Sequence, residues 1–551
     1  LIIRKDLTVK IGNFYIKEVF YMLYFIVFLS GAVLMSMEMA GSRVMAPAFG
    51  NSIYVWGALI TVVMAALTLG YYLGGRTADR YPYIGSLGII LLLAGCAVGF
   101  LPLWSGAANQ YLSGYDLRTG SLLAAWSFFF LPGVLLAMVS PYGIKLAGNN
   151  LTTLGNTAGR LSAISSAGSI IGTLATSFFL IPAMGIRHLF HMLGILLFIL
   201  AFLSLWSQYT SKEPVVSPTV RKAILALIGI NLVLTAVLIG SWWWSSLPRR
   251  EIMGETVLYE RDTLYHHVAV RQLGSIRYLH FDNSYQSGIN LKNPLEMVFE
   301  YTSYLHLGLI PKPDPQSVLF IGLGGGSAPT RFLNDYPSIK QLDAVEIDPE
   351  VIRVAYQYFQ LPRSPRLKTT AQDGRLFIRE KVKAIAAGKS RPYDMVVLDA
   401  YNSDAIPYHL TTLEFLDQVK QVLSPDGVVI SNVIGSVSGA QSRFFRAFTR
   451  TLNEVFPQVY LFPINGWSGG EDSFQRNIIV IATRDSRYRP AAWWKKEAER
   501  LTEMGKVTEK ITAYVQDLID DPRVRSAAFF RDVPILTDDY APVDILQHIQ
   551  R

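Results

Sequence analysis

The sequence predicts two unlike halves: an α-helical membrane bundle of about seven spans, then an α/β Rossmann-like domain with a small β region ahead of it. Three observations carry this. Long apolar runs fill residues 1 to about 246, and the rest alternates apolar strand runs with amphipathic helices. Between Ser317 and Asp404, four strand runs each end on a glycine or an acid, the pattern of a doubly wound parallel sheet. Apolar residues make up 51% of the chain and charged residues 17%, a balance that averages a very apolar half with an ordinary one. The boundaries read as 1–19, an N-terminal tail; 20–246, the transmembrane region; 247–310, the β region; 311–485, the sheet; and 486–551, a helical tail.

The tail carries Arg4, Lys5, Lys10 and Lys17. The apolar stretch after it is too long for a cleaved signal and lacks a small-residue cleavage site, so the tail reads as interfacial. Spans of about 20 residues, the length a bilayer requires, fall near 20–42, 53–74, 84–103, 121–139, 159–182, 188–207 and 222–244. The fifth is rich in Gly, Ala and Ser. Its face of Ala163, Ala167 and Ile171 suits close packing, so this span is expected inside the bundle. Trp242, Trp243 and Trp244 are an interfacial anchor. The segment LGYYLGGRTADRYP resembles a gating loop of major facilitator transporters, but few charges lie inside the spans.

With the N-terminus inside, most basic flank residues, among them Arg4, Lys5, Arg76, Arg80 and Lys145, lie on the inner side. Seven spans then put the C-terminal domain outside. The expected placement of that domain is nevertheless the cytoplasmic side. The net charge of +8 belongs to membrane flanks; no basic stripe with interleaved aromatics points to nucleic acid. The single cysteine, Cys96, excludes an intrachain disulfide and a cysteine metal site, and no metal is expected.

The β region opens with YHHVAVRQ and SIRYLHFD, a hairpin pattern turning near Gly274. His266 and His267 are adjacent on a strand and face opposite ways, which does not suit one metal. The sheet follows. SVLFIGLGGGSAPTRFL runs from a strand through Gly322, Gly324, Gly325 and Gly326 into a helix; glycine lets the backbone turn tightly and approach a ligand. Glu346 lies 24 residues beyond Gly322, the offset at which a second-strand carboxylate meets a ribose diol, and Asp348 follows it. Asp373 and Gly374 end the third run, where the acid could accept from an adenine amino group. Asp399 ends the fourth, where a general base could face a reacting atom. After it come a helix, the strand GVVISNVIG, another helix, and the closing pair QVYLFPI and RNIIVIAT.

This order resembles the adenosylmethionine-type fold, and within it the spermidine synthases and their membrane-fused relatives, over about residues 258 to 485. Those carry a GGGDG-like loop, an acidic second-strand end, a DG at the third, a D-S-T-D-P-like segment at the fourth, and an L-D-G-x-x-Q-like turn. Here that turn is HFDNSYQS, with Asp282 and Gln286 in place. The resemblance implies decarboxylated adenosylmethionine or adenosylmethionine as cosubstrate, held by Gly322, Gly324, Gly326, Ser327, Glu346, Asp348, Asp373 and Gly374. It implies Asp399 as the base and Gln286, Tyr301, Tyr401 and Asp404 at the acceptor. Ser327 stands where the family loop has its aspartate, and Asp404 is displaced by two residues from the family's second acid. Both departures bear on classical spermidine synthesis and leave the nucleoside pocket intact. In TDDYAPVD near the C-terminus, Asp538 and Asp539 either reach the site mouth or cap a turn.

The partners expected are the lipid bilayer, a small amine or lipid-headgroup acceptor, and other membrane subunits or a second copy of the chain. Four classes compete: an aminopropyltransferase-like enzyme, a methyltransferase on the same fold, a non-catalytic subunit of a membrane complex, and a transporter with a sensory domain.

Overall fold

The computed structural model describes residues 2–50, 53–148, 153–211, 217–246, 251–252, 254–282, 284–401, 406–467 and 474–548. The chain forms two compact units, Leu1–Pro248 and Arg249–Arg551.

Among the described residues of the first unit, six helices are long and apolar enough to cross a membrane: Tyr21–Phe49, Ile53–Arg80, Leu117–Ala147, Leu154–Leu180, Ala183–Thr210 and Pro218–Trp244. The predicted third span is instead a pair, Ile84–Gly99 and Leu101–Leu112, bent by 52°. Pro102 in the first turn of the second piece has no N–H to extend the ladder across the bend. The bent pair still carries the chain from one end of the bundle to the other. A Cβ on Gly70 would meet Val134 O at 2.5 Å, and one on Gly74 would meet Met138 O at 2.7 Å. Ile53–Arg80 and Leu117–Ala147 are therefore parallel neighbours, and Lys145 Nζ pairs with Asp79 Oδ1 at 2.7 Å where both end. Parallel neighbours require a return passage between them, which the bent pair supplies.

The fifth predicted span departs from expectation. Only 17% of the most apolar stretch of Leu154–Leu180 is buried, against 61% for Leu117–Ala147. Ala163, Ala167 and Ile171 face outward. The packed face is Leu161, Gly168 and Gly172. A Cβ on Gly168 would lie 2.0 Å from Phe28 O, and one on Gly172 would lie 2.4 Å from Ala32 O. Small residues do bring two helices into close contact here, but one glycine face is enough, and the helix sits at the edge of its own chain's bundle.

The second unit begins with an antiparallel meander: β1 (Glu251–Ile252), β2 (Glu255–Asp262), β3 (His267–Leu273), β4 (Ile276–Phe281) and β5 (Ser284–Asn290). Gly274, at φ +58°, makes the predicted turn between β3 and β4. His266 is buried and stacked on Phe281, with ring centres 4.2 Å apart, while His267 Nδ1 lies 2.6 Å from Asp262 Oδ1.

The main sheet has β6 (Ser317–Ile321), β7 (Gln341–Glu346), β8 (Leu367–Ala371), β9 (Tyr393–Leu398), β10 (Leu423–Gly435), β11 (Gln458–Pro463) and β12 (Arg476–Thr483). Their order is β11-β12-β10-β9-β6-β7-β8. β8, β7, β6, β9 and β10 are parallel, and β12 and β11 close one edge as the predicted antiparallel pair. The helices that matter for the site are α1 (Ser327–Asp335), α2 (Pro349–Tyr358), α3 (Gly374–Ala386), α4 (Leu413–Val422) and α5 (Arg443–Val455). Apolar side chains from both faces of the central strands are buried, so these strands read as continuous apolar runs.

Register levels the strand ends. Ile321 pairs with Val345 and Leu398, Val345 with Thr370, and Leu398 with Ser431. The next residues, Gly322, Glu346, Ala371, Asp399 and Asn432, therefore form a row along one rim. The chain leaves β6 toward β7 and β8, then returns to β9 on the other side. That switch opens a crevice between β6 and β9, the usual ligand position in such sheets.

Candidate active site

The glycine loop crosses the end of β9 at van der Waals range. Gly322 has φ +98°, and a Cβ there would lie 2.1 Å from Asp399 O, so only glycine fits. Gly326, at φ +79°, starts α1 in the left-handed region. Ser287 and Gln286 of β5 back this loop: Ser287 Oγ would be 2.7 Å from a Cβ on Gly325, and Gln286 O 3.9 Å from one on Gly324. The β region thus forms a wall of the site. Ser327 belongs to that wall, because its hydroxyl donates to Gly288 O at 3.0 Å and lies 3.3 Å from Ser287 Oγ. Gly374 leaves room beside Ile321, whose Cγ2 would be 2.6 Å from a Cβ there.

Glu346 is buried. Its Oε2 accepts from Leu323 N at 3.2 Å and its Oε1 from Asp348 N at 3.2 Å. The second-strand acid thus fastens the glycine loop to β7. Burial pushes its carboxyl up, partly opposed by the N–H groups of Asp348 and Leu323. Asp348 caps α2 through Glu350 N at 2.9 Å and accepts from Thr263 Oγ1 at 2.6 Å, tying the β2–β3 turn to the sheet. Asp373 caps α3 through Leu376 N at 2.9 Å, and its other oxygen is 2.9 Å from His409 Nε2. The histidine bond is the main reason its carboxyl is held below the ordinary range. Tyr265 completes this side. Its phenol is pushed up by burial and then by the carboxylates of Asp348, Asp373 and Glu346.

On the other side of the crevice, Asp399 is half-buried. Its Oδ1 accepts from Asn432 Nδ2 at 3.0 Å and its Oδ2 from Tyr301 OH at 3.3 Å. Burial raises its carboxyl above the ordinary range, against the pull of those two donors. The Tyr301 phenol is pushed well above its ordinary range, chiefly by burial and then by Asp399, so it stays a neutral donor. Tyr401 was expected at the acceptor. Its hydroxyl donates to Asn432 O at 2.9 Å and accepts from Ile434 N at 3.0 Å, so it is engaged with β10. Asp404 lies outside the described residues. Asp538 does not enter the row of acids. It grips Arg375 at 2.7 and 2.5 Å and accepts from Thr412 Oγ1 at 2.7 Å, holding the tail against α3 and α4.

Sequence reasoning missed Asn432, Asn477, His409, Thr263 and Tyr265. Asn432 had a signal: it interrupts the apolar run of GVVISNVIG at the level of the other strand ends. His409 and Thr263 had none, because they arrive by tertiary packing.

A doubly wound sheet with a glycine loop at its switch point and acids on the adjoining strand ends defines a Rossmann-type ligand-binding domain. Residues 298–466, within the second unit, match the spermine/spermidine synthase domain. The chain is 34% identical to a polyamine aminopropyltransferase of Chromobacterium violaceum over 221 residues, 40% of this chain and 77% of that one. It is 28% identical to a polyamine aminopropyltransferase of Vibrio vulnificus over 299 residues, 53% of this chain and 92% of that one. It is 33% identical to the human eEF1A lysine and N-terminal methyltransferase over 172 residues, 29% of this chain and 24% of that one. The chain belongs to the spermine/spermidine synthase family through its C-terminal unit.

Proposed function

We propose that the C-terminal unit moves a group from an adenosylmethionine-type sulfonium donor to an amine, with Asp399 as general base. The observation that carries this is the Asp399 carboxylate, steadied by Tyr301 and Asn432 beside the glycine loop. Each Asp399 oxygen accepts one hydrogen bond from these neighbours and keeps a lone pair for a substrate proton. Glu346, on the adjoining strand end, is the carboxylate that receives the ribose diol in this reading.

In the reaction an ammonium acceptor gives a proton to Asp399. The freed nitrogen lone pair attacks the carbon bonded to sulfur. The carbon–sulfur bond breaks, its electron pair returns to sulfur, and a neutral thioether nucleoside leaves. The sulfonium is a good leaving group, so the protein's task is alignment and deprotonation. A carboxyl raised by burial is better matched to an amine's proton than an ordinary aspartate.

The N-terminal unit anchors the enzyme in a bilayer, alone or with other membrane subunits or a second copy, and the acceptor is a small amine or an amine-bearing lipid headgroup. The C-terminal unit works on the cytoplasmic side, where a charged donor that does not cross lipid is supplied. Methyl transfer is the second reading, favoured by the likeness to a lysine and N-terminal methyltransferase.

Calorimetric titration of the full chain with adenosylmethionine, its decarboxylated form and methylthioadenosine tests the reading. Tightest binding of the decarboxylated donor, with turnover on an amine, is the expected result. Tightest binding of intact adenosylmethionine with methyl turnover selects the second reading. No binding of any of the three, or no turnover on any amine, overturns both.

A further inference from the structure

One acid beside the crevice takes its partner from the opposite flank of the sheet. Asp373 lies beyond β8 at the start of α3, and His409 belongs to the short turn Tyr408–Leu410 that follows β9. That turn packs on the first residue of α3: a Cβ on Gly374 would lie 3.7 Å from Leu410 Cδ2.

The two oxygens of Asp373 have different tasks. Oδ1 accepts from Leu376 N at 2.9 Å and serves the helix cap. Oδ2 lies 2.9 Å from His409 Nε2. An ionised carboxylate only accepts, so Nε2 carries the hydrogen of this bond. A carboxylate oxygen takes more than one donor, and Oδ2 is thus available to a second. Both side chains stay partly exposed, His409 by 31% and Asp373 by 23%, so a ligand can reach them.

His409 is itself braced. Its carbonyl accepts from Arg375 Nη1 at 3.3 Å, and Asp538 of the tail grips that same guanidinium. The Tyr408 ring meets the imidazole edge-on, with ring centres 5.7 Å apart. A helix cap needs only Oδ1. The bond to Oδ2 fixes the plane of the carboxylate, which matters to an oxygen that must meet a donor in a set direction.

We propose that His409 is a positioning residue that sets base specificity: it holds Asp373 Oδ2 as the acceptor for the 6-amino group of an adenine nucleoside. This rests on the reading of the crevice as a nucleoside site with Glu346 at the ribose. A 6-amino group donates to Oδ2, whereas a purine without one leaves that oxygen facing no donor. Without His409 the carboxylate turns more freely, and the amino group must order it on binding.

The test is calorimetric titration of the full chain, held in phosphatidylcholine nanodiscs. One ligand is methylthioadenosine, and the other is the same thioether nucleoside carrying unsubstituted purine, which lacks the 6-amino group. The wild type should prefer the adenine nucleoside by about 10-fold or more, the worth of one hydrogen bond to a charged group. His409→Leu should remove most of that preference. His409→Gln should keep it, because its side-chain amide N–H takes the place of the Nε2–H. A histidine that merely supported the fold would lower both affinities alike and leave their ratio unchanged. If His409→Leu loses its cooperative melting, His409→Asn carries the test, because its shorter amide does not reach Asp373 Oδ2 and the preference should fall there as well. An unchanged ratio in the folded variant, or a ratio lost equally in His409→Gln, overturns the proposal. Equal wild-type affinities for the two nucleosides overturn it while the nucleoside site stands, and binding of neither overturns both.

Discussion

Asn432 Nδ2 donates to Asp399 Oδ1 at 3.0 Å, while Asn432 Oδ1 accepts from Asn477 Nδ2 at 2.9 Å. Three strands thus bear on one carboxylate. β9 carries it, β10 supplies the donor, and β12 fixes which way that amide faces. With Asn477 donating to its oxygen, Asn432 has only its NH₂ to offer Asp399.

Replacing Asn432 should therefore be read in a pH profile. Its hydrogen bond favours the charged form of Asp399, so Asn432→Leu should raise that carboxyl further. A base works only when ionised, and activity is lost as pH falls through its pKa. The acid limb of kcat/KM should move to higher pH, with a stability loss of about 1–3 kcal/mol from the stranded Asn477 donor. An unmoved limb would separate Asp399 from the base role.

Asp399→Asn should lower turnover by roughly 10²-fold or more. Its stability effect has a definite sign. A carboxyl whose folded pKa is raised holds protons more tightly folded than unfolded, so its charge destabilises the fold at pH above the folded pKa. The asparagine variant should melt no lower than the wild type near neutral pH. A large drop in melting temperature would mean that Asp399 is a structural turn residue.

Glu346→Gln should weaken methylthioadenosine binding by about 1–3 kcal/mol, because an amide NH₂ faces either a ribose hydroxyl or the N–H of Leu323 or Asp348. Calorimetry gives the affinity, and faster exchange at 322–326 would report the loosened loop. Unchanged affinity would remove Glu346 from the nucleoside site.

Gly322→Ala should cost about 2–4 kcal/mol, from a left-handed φ of +98° and a Cβ driven into Asp399 O. Chemical denaturation of the full chain measures it. A near-neutral result would show that the loop can move off β9.

In the helical unit, Gly168→Val should separate Leu154–Leu180 from Tyr21–Phe49, since even a Cβ would lie 2.0 Å from Phe28 O. Thermal unfolding in detergent should shift down sharply, whereas Ala163→Val on the outward face should be tolerated.

Much of this architecture was legible because apolar runs and glycines are local signals. The strand ends at Gly322, Glu346 and Asp399 were read before their register was known, since parallel strands buried on both faces end abruptly, whereas Asp373 lies two residues past the end of β8. What these acids do for the fold was not legible. Asp348 and Asp373 cap helices, and Glu346 holds a loop, because a strand-end acid one turn from a helix start serves the nearest N–H groups first. Tyr401 was assigned by position alone, and its hydroxyl went to β10. Span composition also misled: small residues identify the face that packs, not how deep a helix lies, so the glycines of Leu154–Leu180 were a better guide than its alanines.

The strand order has a consequence for how such a site can change. Glu346 stands on the flank of β6 formed by β7 and β8, and Asp399 with its amides on the flank formed by β9, β10 and β12. β7 and β8 lie on one side of β6, and β9, β10 and β12 on the other, with the glycine loop between the two acids; His409, after β9, reaches Asp373 beyond β8. A new acceptor can thus be accommodated by substitutions on one flank while the other keeps its nucleoside chemistry. The joint between them behaves as a coupling to which different tools attach, and a single glycine crossing, Gly322 over Asp399, keeps the two in register whichever tool is fitted.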